Sequence, residues 1–436
     1  MATLPLAFTE QMLRLIGEER FERYLQAFEE DTPVSIRLNP AKAESLMPVE
    51  GEEVGWCQRG YYLRQRPNFT MDPLLHAGCY YVQEAGSMFL DEVLRQMLPS
   101  DIIHQTSSIR HHPSDISHQP SAIRHHPSDI SPLTALDLCA APGGKSTLLR
   151  AALPDDCVLY SNEPMRQRAS ILAENVEKWG GRNHIVTNCY AKDYRKAGLR
   201  FDLVVADVPC SGEGMFRKDA ATIGEWSPQQ VEKCWQLQRD IISDIWPCLN
   251  PGGLMIYSTC TFNTKENEEN IRWILETQDA EVLPVKVREE WNITGSLLAG
   301  FDKPVYRFIP GISRSEGLFV CVMRKAGSLE NIPTLGTKHS HAGNKTFPRW
   351  ESGAGSLPAV GRAELTYQQA IAYLRGEALT LPADTPRGIV DVTFMGHILG
   401  QAKNIGSRAN NLYPKPWRIK TTHVPDTYTP ILTDKS

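Results

Sequence analysis

The sequence predicts an α/β protein built around a doubly wound parallel sheet, with a small N-terminal α+β domain and a further C-terminal domain. The first observation is that apolar, β-rich segments alternate with amphipathic helical segments across residues 132–326, a pattern typical of parallel sheets with helices on both faces. The second is that both flanks of this stretch lack the alternation. The chain has 436 residues, which is long enough for two or three domains.

Composition excludes several protein classes. Hydrophobic residues make up 41% and charged residues 22% of the chain, which is typical of a soluble globular protein. The sequence has no apolar run of about 18 residues and no signal-peptide pattern, so we expect a cytoplasmic protein with no membrane partner. The ten cysteines form no CxxC pairs, so we expect neither a disulfide framework nor a metal site.

Residues 1–98 are predicted to form the small N-terminal domain. LAFTEQMLRLIGEERFERYLQAFEE has the three- and four-residue spacing of one or two helices. TPVSIRLNP indicates a strand that ends at Pro40, and YYVQEAGSMFLDEVLRQML indicates a turn followed by a helix.

Residues 99–131 differ from the rest of the chain. They contain DIIHQTSSIRHHPS followed by DISHQPSAIRHHPS, a tandem repeat that holds six of the twelve histidines. A metal-binding histidine tract is one interpretation. Because Ser, His, Pro and Asp cannot bury a core, the composition favours a solvated low-complexity insertion.

Strand candidates follow in order through residues 132–326: TALDLCAA, CVLYSNE, NHIVTNC, FDLVVADV and GGLMIYSTC, with a late hairpin of AEVLPVKV and GLFVCVMRK. Helical patterns such as QRASILAENVEKWG lie between them. Residues 327–360 are rich in Gly, Ser, Pro and Thr and are predicted to be a linker. Residues 361–436 are predicted to form the C-terminal domain, with one helix and short strands.

The turn in TALDLCAAPGGKSTLLR indicates a nucleotide-type ligand. A strand ends near Cys139, and glycines precede a helix whose first amides are free to bind a ligand. A P-loop would need glycine at position 139, and GxGxxG is absent, so a smaller adenosine ligand remains. Glu163 ends the next strand, 20 residues after Gly143, where an acid can accept hydrogen bonds from ribose hydroxyls. The alternative is that Glu163 only caps the following helix.

Two cysteines each end an apolar strand, Cys210 in FDLVVADVPCSGEG and Cys260 in GGLMIYSTCTFN. Loops after parallel strands line the ligand crevice of such sheets, so both thiols are predicted to share one pocket. Asp207 lies in the same loop as Cys210, where it either hydrogen-bonds a base edge or caps loop amides.

Together these motifs resemble the NOL1/NOP2/Sun family of RNA cytosine-5 methyltransferases. The resemblance rests on CAAPGGK, NEP, ADVPCSGEG and YSTCTFNTKENEENI, in that order. SIRLNP and YYVQEAGSM resemble the family's N-terminal extension, and KNIGSRANNLYPKPWR resembles the C-terminal domain of its bacterial RsmF branch, which modifies small-subunit ribosomal RNA. The resemblance implies a Rossmann-like methyltransferase sheet and a PUA-like RNA-binding domain.

The resemblance also implies site roles. Cys260 matches the nucleophile that attacks cytosine C6, Cys210 the cysteine that releases product, and Asp207 and Lys145 the residues that contact the target base. The cofactor implied is S-adenosyl-L-methionine, bound by Cys139, Ala140, Ala141, Pro142, Gly143, Gly144, Lys145, Glu163 and Asp207.

The chain departs from the family pattern at two positions. The family acid after the third strand has no clean counterpart, and Asn188 and Asp193 are the nearest candidates. In RFIPGISRSEG, Gly311 stands where related chains often carry histidine.

RNA is the expected partner of a monomeric enzyme, with ribosomal RNA of the small subunit as the leading candidate. The formal net charge is −5, so any RNA-binding surface must be local. Residues 387–420 hold six basic residues and one acidic residue, with aromatics among them that are suited to stacking on bases. A solvated basic face around a small core is the alternative. The candidate RNA contacts are Arg37, Asn39, Arg217, Lys218, Lys403, Arg408, Tyr413, Lys415, Trp417 and Arg418.

Two other functions stay open on sequence alone. An N-methyltransferase would more often carry a Pro-Pro-Tyr or Pro-Pro-Phe type of loop than PCSG. A non-catalytic RNA-binding assembly factor would not need both cysteines or the GGK turn.

Overall fold

A computed structural model describes residues 4–98, 132–327, 357–421 and 423–435. The His-rich repeat and most of the predicted linker lie outside the described residues. None of the described helices is long and apolar enough to cross a membrane.

The N-terminal segment contains two helices before a four-stranded antiparallel sheet. The sheet has the order β3-β4-β1-β5. The elements are α1 (Leu6–Ile16), α2 (Glu18–Gln26), β1 (Val34–Leu38), β2 (Leu46–Pro48), β3 (Gly51–Glu53), β4 (Gly60–Leu63), α3 (Pro73–His76), β5 (Tyr80–Val82) and α4 (Phe89–Met97).

The central segment forms an eight-stranded sheet in which helices alternate with strands. Its elements are β6 (Thr134–Asp137), α5 (Gly144–Ala152), β7 (Val158–Asn162), α6 (Arg166–Trp179), β8 (His184–Thr187), α7 (Ala191–Lys196), β9 (Phe201–Asp207), α8 (Ala221–Glu225), α9 (Pro228–Ile245), β10 (Leu249–Thr259), α10 (Glu268–Thr277), β11 (Ala280–Val282), β12 (Tyr306–Phe308) and β13 (Leu318–Lys325). The strand order is β11-β13-β10-β9-β6-β7-β8, with β12 also paired to β13.

Strands β6 to β10 run parallel, which confirms the predicted fold class. Alternate residues of each strand enter different cores: Leu203 and Val205 of β9 pack on one face, and Val204 and Ala206 on the other. Burial of both faces explains the near-continuous apolar runs in the sequence. One prediction was wrong in detail. β11 and β13 pair antiparallel but are not a hairpin, because β12 lies in their connection and pairs with the same strand.

The N-terminal segment shares its cores with both other segments. Trp56, Phe89 and Leu94 pack in the same cluster as β6, β9 and β10. Ile36, Leu74 and Tyr80 pack in a second cluster with the C-terminal segment.

The C-terminal segment is a four-stranded sheet with one helix, in the strand order β14-β15-β16-β17. Its elements are β14 (Gly361–Glu364), α11 (Tyr367–Leu374), β15 (Gly388–Phe394), β16 (His397–Asn404), β17 (Ala409–Asn411) and β18 (Leu432–Asp434). β18 lies outside this sheet and pairs antiparallel with β2 of the N-terminal segment.

Candidate active site

The strand order of the central sheet reverses beside β6, and the carboxyl ends of the strands there define the candidate crevice. The chain moves from β6 outward to β7 and β8, and then returns to place β9 on the other side of β6. In open α/β sheets, ligands bind at the carboxyl ends of the strands beside such a switch point. The turns after β6, β7, β9 and β10 all leave the sheet at this edge, and they carry the predicted cofactor and cysteine motifs.

The turn after β6 runs from Cys139 to Gly144. Gly143 has φ 119°, a left-handed conformation that glycine adopts without a steric penalty, and it precedes the first turn of α5. Cys139 is half-buried, and burial raises the pKa of its thiol, so it stays protonated at neutral pH. The turn therefore offers backbone amides and a neutral thiol to a ligand.

Glu163 follows β7 and is buried. Its Oε1 accepts a hydrogen bond from the Met165 backbone N–H at 2.9 Å, which is the capping contact that the sequence also allows. Its Oε2 lies 3.3 Å from Nη1 of Arg168, whose Nη2 donates to the Ala141 carbonyl at 3.0 Å. Arg168 therefore ties the turn after β7 to the turn after β6. Nothing in the sequence distinguishes Arg168 from Arg166, the other basic residue at the start of α6.

An ion pair joins α5, the helix that follows β6, to the end of β9. Nζ of Lys145 lies 2.8 Å from Oδ2 of Asp207, and Oγ of Ser258 donates to Oδ1 of Asp207 at 2.6 Å. Burial alone would lower the pKa of Lys145, but attraction to Asp207 and the hydrogen bond between them more than offset it and raise the pKa. Lys145 is therefore a cation within the crevice.

The two cysteines that follow β9 and β10 have their sulfur atoms in contact. Sγ of Cys210 lies 3.2 Å from Sγ of Cys260, and the backbone N–H of Cys260 donates to Sγ of Cys210 at 3.3 Å. The hydrogen bond to Cys260, together with burial, raises the pKa of Cys210. Gly214 permits this approach, since a Cβ there would lie 2.9 Å from the Cys260 carbonyl oxygen and 2.6 Å from Gly317 Cα.

Sequence reasoning missed a buried acid at the end of β6. Ser146 Oγ donates to Oδ2 of Asp137 at 2.6 Å, whereas Oδ1 of Asp137 has no hydrogen-bond partner among the described residues. Burial raises the pKa of Asp137 to about 7. The sequence does contain an indication of this site, because Asp137 is an acid within the apolar segment TALDLCAA, directly before the turn that is predicted to bind a ligand.

The structure corrects two of the predicted RNA contacts. Arg37 is 3% exposed and donates to Oε1 of Gln83 at 2.8 Å and to Oγ1 of Thr147 at 2.6 Å. Asn39 is 1% exposed and donates to the carbonyls of Gly78 and Trp179. Both join the N-terminal segment to the central one, and their burial removes them from an RNA-binding surface.

The side chains of two further candidates are buried. The Arg217 side chain is 5% exposed and lies 3.6 Å from the Glu316 carboxylate. Tyr413 packs against Tyr373 and Trp417 in the core of the C-terminal sheet. The exposed candidates are Lys218, Lys403, Arg408 and Lys415, and Trp417 and Arg418 are half-buried.

The two departures from the family pattern have local explanations. Asn188 donates to the carbonyls of Glu163 and Pro164, and Oδ2 of Asp193 accepts the Tyr190 N–H at the start of α7. Both side chains therefore bind backbone. Gly311 has φ 78°, and a Cβ there would lie 2.3 Å from the Arg23 carbonyl oxygen, so a histidine would not fit.

Three family descriptions match successive parts of the chain. "16S rRNA methyltransferase RsmB/F" matches residues 126–324, "N-terminal domain of 16S rRNA methyltransferase RsmF" matches 4–85, and "Methyltransferase RsmF PUA domain" matches 361–419.

Similar proteins carry related names. The ribosomal RNA small subunit methyltransferase F of Pectobacterium atrosepticum is 31% identical, over 77% of this chain and 66% of that protein's length. The protein of the same name from Escherichia fergusonii is 27% identical over 94% of this chain and 96% of its own. A methyltransferase homologue from Pyrococcus horikoshii has a similar structure, with a TM-score of 0.56 and 25% identity, covering 73% of this chain and 94% of that one. The structure of NSun6 from Pyrococcus horikoshii with SFG shares the fold at a TM-score of 0.55 and 17% identity, covering 75% of this chain and all of that one.

Proposed function

The chain belongs to the family of RsmB/F 16S rRNA methyltransferases, and we propose that it transfers a methyl group from S-adenosyl-L-methionine to C5 of a cytosine in small-subunit ribosomal RNA. The observation that carries the proposal is the meeting of Cys210 and Cys260, with their sulfurs 3.2 Å apart, at the switch point that also holds the Lys145–Asp207 ion pair.

The residues around the turn after β6 fit the cofactor. Asp207 and Glu163 lie close enough to Asp137 that their charges add to the effect of burial in raising its pKa. Carboxylates suit a sulfonium cation and a ribose diol, and the free amides at the start of α5 suit polar groups of the ligand. When bound, S-adenosyl-L-methionine supplies an electrophilic methyl group.

Cytosine C5 is a weak nucleophile, so a covalent step is needed to activate it. The Cys260 thiolate attacks C6, forming a bond from sulfur to carbon and pushing the electron pair towards C5 and N3. In this arrangement Lys145 and Asp207 contact the base, and a hydrogen bond donated by the Lys145 ammonium stabilises the negative charge that develops at N3. Cys210, whose pKa is raised, keeps its proton while Cys260 reacts.

Release requires the reverse chemistry. After methylation, a base takes the C5 proton, the C5–C6 double bond reforms, and the bond between sulfur and C6 breaks so that Cys260 leaves as the thiolate. Cys210 lies beside Cys260 and is the group placed to assist this elimination. A cytosine inside a duplex cannot reach the thiols, so the target must be unpaired or flipped out. We propose that the C-terminal segment holds the RNA and that the enzyme works in the cytoplasm as a monomer without a metal.

Nucleoside mass spectrometry tests the reaction. Purified protein, labelled S-adenosyl-L-methionine and either naked 16S rRNA or the assembled small subunit are expected to yield 5-methylcytidine, with none from Cys260→Ala. Methyl label on the exocyclic N4 would show an N-methyltransferase instead. No label on either substrate, with RNA binding intact, would show an assembly factor.

A further inference from the structure

The two cysteine loops exchange buried carboxylates. Glu213 lies three residues after Cys210, and Glu266 lies six residues after Cys260. Each is 1% exposed or less, and each reaches across to the backbone of the opposite loop. We call this pair of contacts the carboxylate exchange.

Glu213 holds the chain that follows Cys260. Its Oε2 accepts hydrogen bonds from the backbone N–H groups of Phe262 at 2.7 Å and Asn263 at 2.9 Å. Its Oε1 accepts three side-chain hydrogen bonds, from Gln11 Nε2, Trp226 Nε1 and Asn263 Nδ2. The Cys260 loop is therefore fastened to the Cys210 loop through one carboxylate.

Glu266 makes the reciprocal contact. Its Oε2 accepts the backbone N–H of Ser211, the residue after Cys210, at 3.0 Å, and it also accepts Nε2 of Gln238 at 2.7 Å. Its Oε1 accepts Nδ2 of Asn263 at 2.8 Å, so Asn263 contacts both carboxylates. Burial raises the pKa of Glu266.

These hydrogen bonds to the two carboxylates all come from N–H donors. Burying two carboxylates close together is costly unless donors compensate for the lost water. Apolar side chains would close the same space at lower cost. A carboxylate, unlike an apolar side chain, accepts hydrogen bonds from backbone amides of the other loop and so fixes the orientation of that loop. Such contacts hold the reacting groups of a site in one geometry.

We propose that Glu213 and Glu266 are positioning residues that set the separation of the Cys210 and Cys260 thiols, and through it the balance between attack on the base and its release. This inference rests on the covalent mechanism proposed above, but the positioning itself can be measured without any turnover.

The isosteric variants Glu213→Gln and Glu266→Gln weaken the exchange with little change in volume. In each, an amide NH₂ replaces an oxygen that accepts hydrogen bonds from N–H groups, so at least one hydrogen bond of the original carboxylate becomes a repulsive contact. Glu269→Gln is the matched control, because Glu269 lies in the first turn of α10 and its carboxylate accepts a long 3.4 Å hydrogen bond from Thr264 instead of a backbone amide of the Cys210 loop.

Thiol cross-linking with diamide reports the separation directly. Diamide takes two electrons and two protons from the thiol pair, becomes a hydrazine and leaves a Cys210–Cys260 disulfide, which peptide mapping identifies. We expect cross-linking roughly tenfold slower in both glutamine variants and unchanged in Glu269→Gln, since a shift of a fraction of an ångström strongly affects reaction between positioned groups. Wild-type rates in folded Glu213→Gln and Glu266→Gln would overturn the proposal.

A kinetic readout separates positioning from folding. With RNA affinity and melting temperature measured alongside, both variants should lower kcat at unchanged KM and change the ratio of covalent RNA adduct to methylated product. If kcat falls but the ratio of covalent adduct to methylated product does not change, the proposed effect on the balance between attack and release is wrong.

If neither glutamine variant folds, Asn263→Ala should slow cross-linking roughly threefold, the equivalent of one net hydrogen bond, and a wild-type rate would overturn the proposal. If Cys260→Ala still methylates, the covalent mechanism fails, and the cross-linking rates still decide the positioning.

Discussion

Nζ of Lys145 lies 2.8 Å from Oδ2 of Asp207, so the first helix of the central sheet is joined to the strand that carries the Cys210 loop. Lys145 is 12% exposed and Asp207 is 35% exposed. The Lys145 side chain is therefore mostly buried, whereas the Asp207 carboxylate meets solvent.

Breaking this pair should cost stability as well as activity. Asp207→Asn leaves Lys145 as a cation without its partner, and we expect a loss of about 1–2 kcal/mol, less than for a fully buried pair because Asp207 is partly solvated. Lys145→Met combined with Asp207→Asn should cost less than the sum of the single changes, as measured by urea unfolding. Additive losses would show that the two side chains do not interact. Because the folded pKa of Lys145 is raised, the contribution is present at neutral pH and is lost as the pH rises through that folded pKa.

Asp137 should give the protein a pH dependence below neutrality. Its folded pKa is about 7, above the ordinary value, so its proton stabilises the folded state at low pH and this stability is lost as the pH rises to about 7. Relative to wild type, Asp137→Asn should therefore become progressively more stable between about pH 4 and pH 7. Unfolding curves at several pH values measure this, and a constant difference between the two proteins would contradict it.

Arg37→Ala should affect folding and leave RNA affinity alone. The side chain makes buried hydrogen bonds to Gln83 and Thr147, and its guanidinium lies 4.5 Å from the Trp179 ring centre. We expect a loss of about 2–4 kcal/mol because buried acceptors lose their donor. Filter binding at a temperature where the variant is folded should give the wild-type Kd for RNA, and a weakened Kd there would restore Arg37 as an RNA contact.

The exposed basic residues of the C-terminal segment should carry the salt-dependent part of RNA binding. Lys403 lies on β16, Arg408 directly before β17 and Lys415 after it, and all three are exposed. Replacing all three with alanine should weaken RNA binding and reduce the slope of log Kd against log salt by about 0.7 for each phosphate that the variant no longer neutralises. Lys303→Ala, an exposed lysine in the central segment, is the control. Equal slopes for the triple variant and wild type would place the RNA elsewhere.

The sequence predicted the architecture because local signals suffice for it. Apolar strands, glycine turns and helix starts indicated a parallel sheet, and the strand ends indicated where Cys139, Glu163, Cys210 and Cys260 would gather. The sequence does not show whether a polar side chain faces solvent or another segment. Arg37 in SIRLNP has the local pattern of a surface cation, because its partner Thr147 is 110 residues away.

The carboxylate exchange could not be predicted for the same reason. Glu213 stands between two glycines, and that local pattern indicates only a close backbone approach. Its backbone partners lie 49 and 50 residues further along the chain, and no local sequence pattern indicates them. Tyr413 was wrongly predicted to be exposed. An aromatic residue among basic ones is typical of a surface that stacks on bases, but the fold places Tyr413 in a core.

The most direct test of the covalent mechanism compares two cysteine variants on the same RNA. Cys210→Ala should accumulate a protein–RNA adduct that survives denaturing gels, because Cys260 attacks and release is impaired. Cys260→Ala should form no adduct and no 5-methylcytidine. An adduct in Cys260→Ala, or full methylation by both variants, would contradict the assignment of attack to Cys260 and release to Cys210.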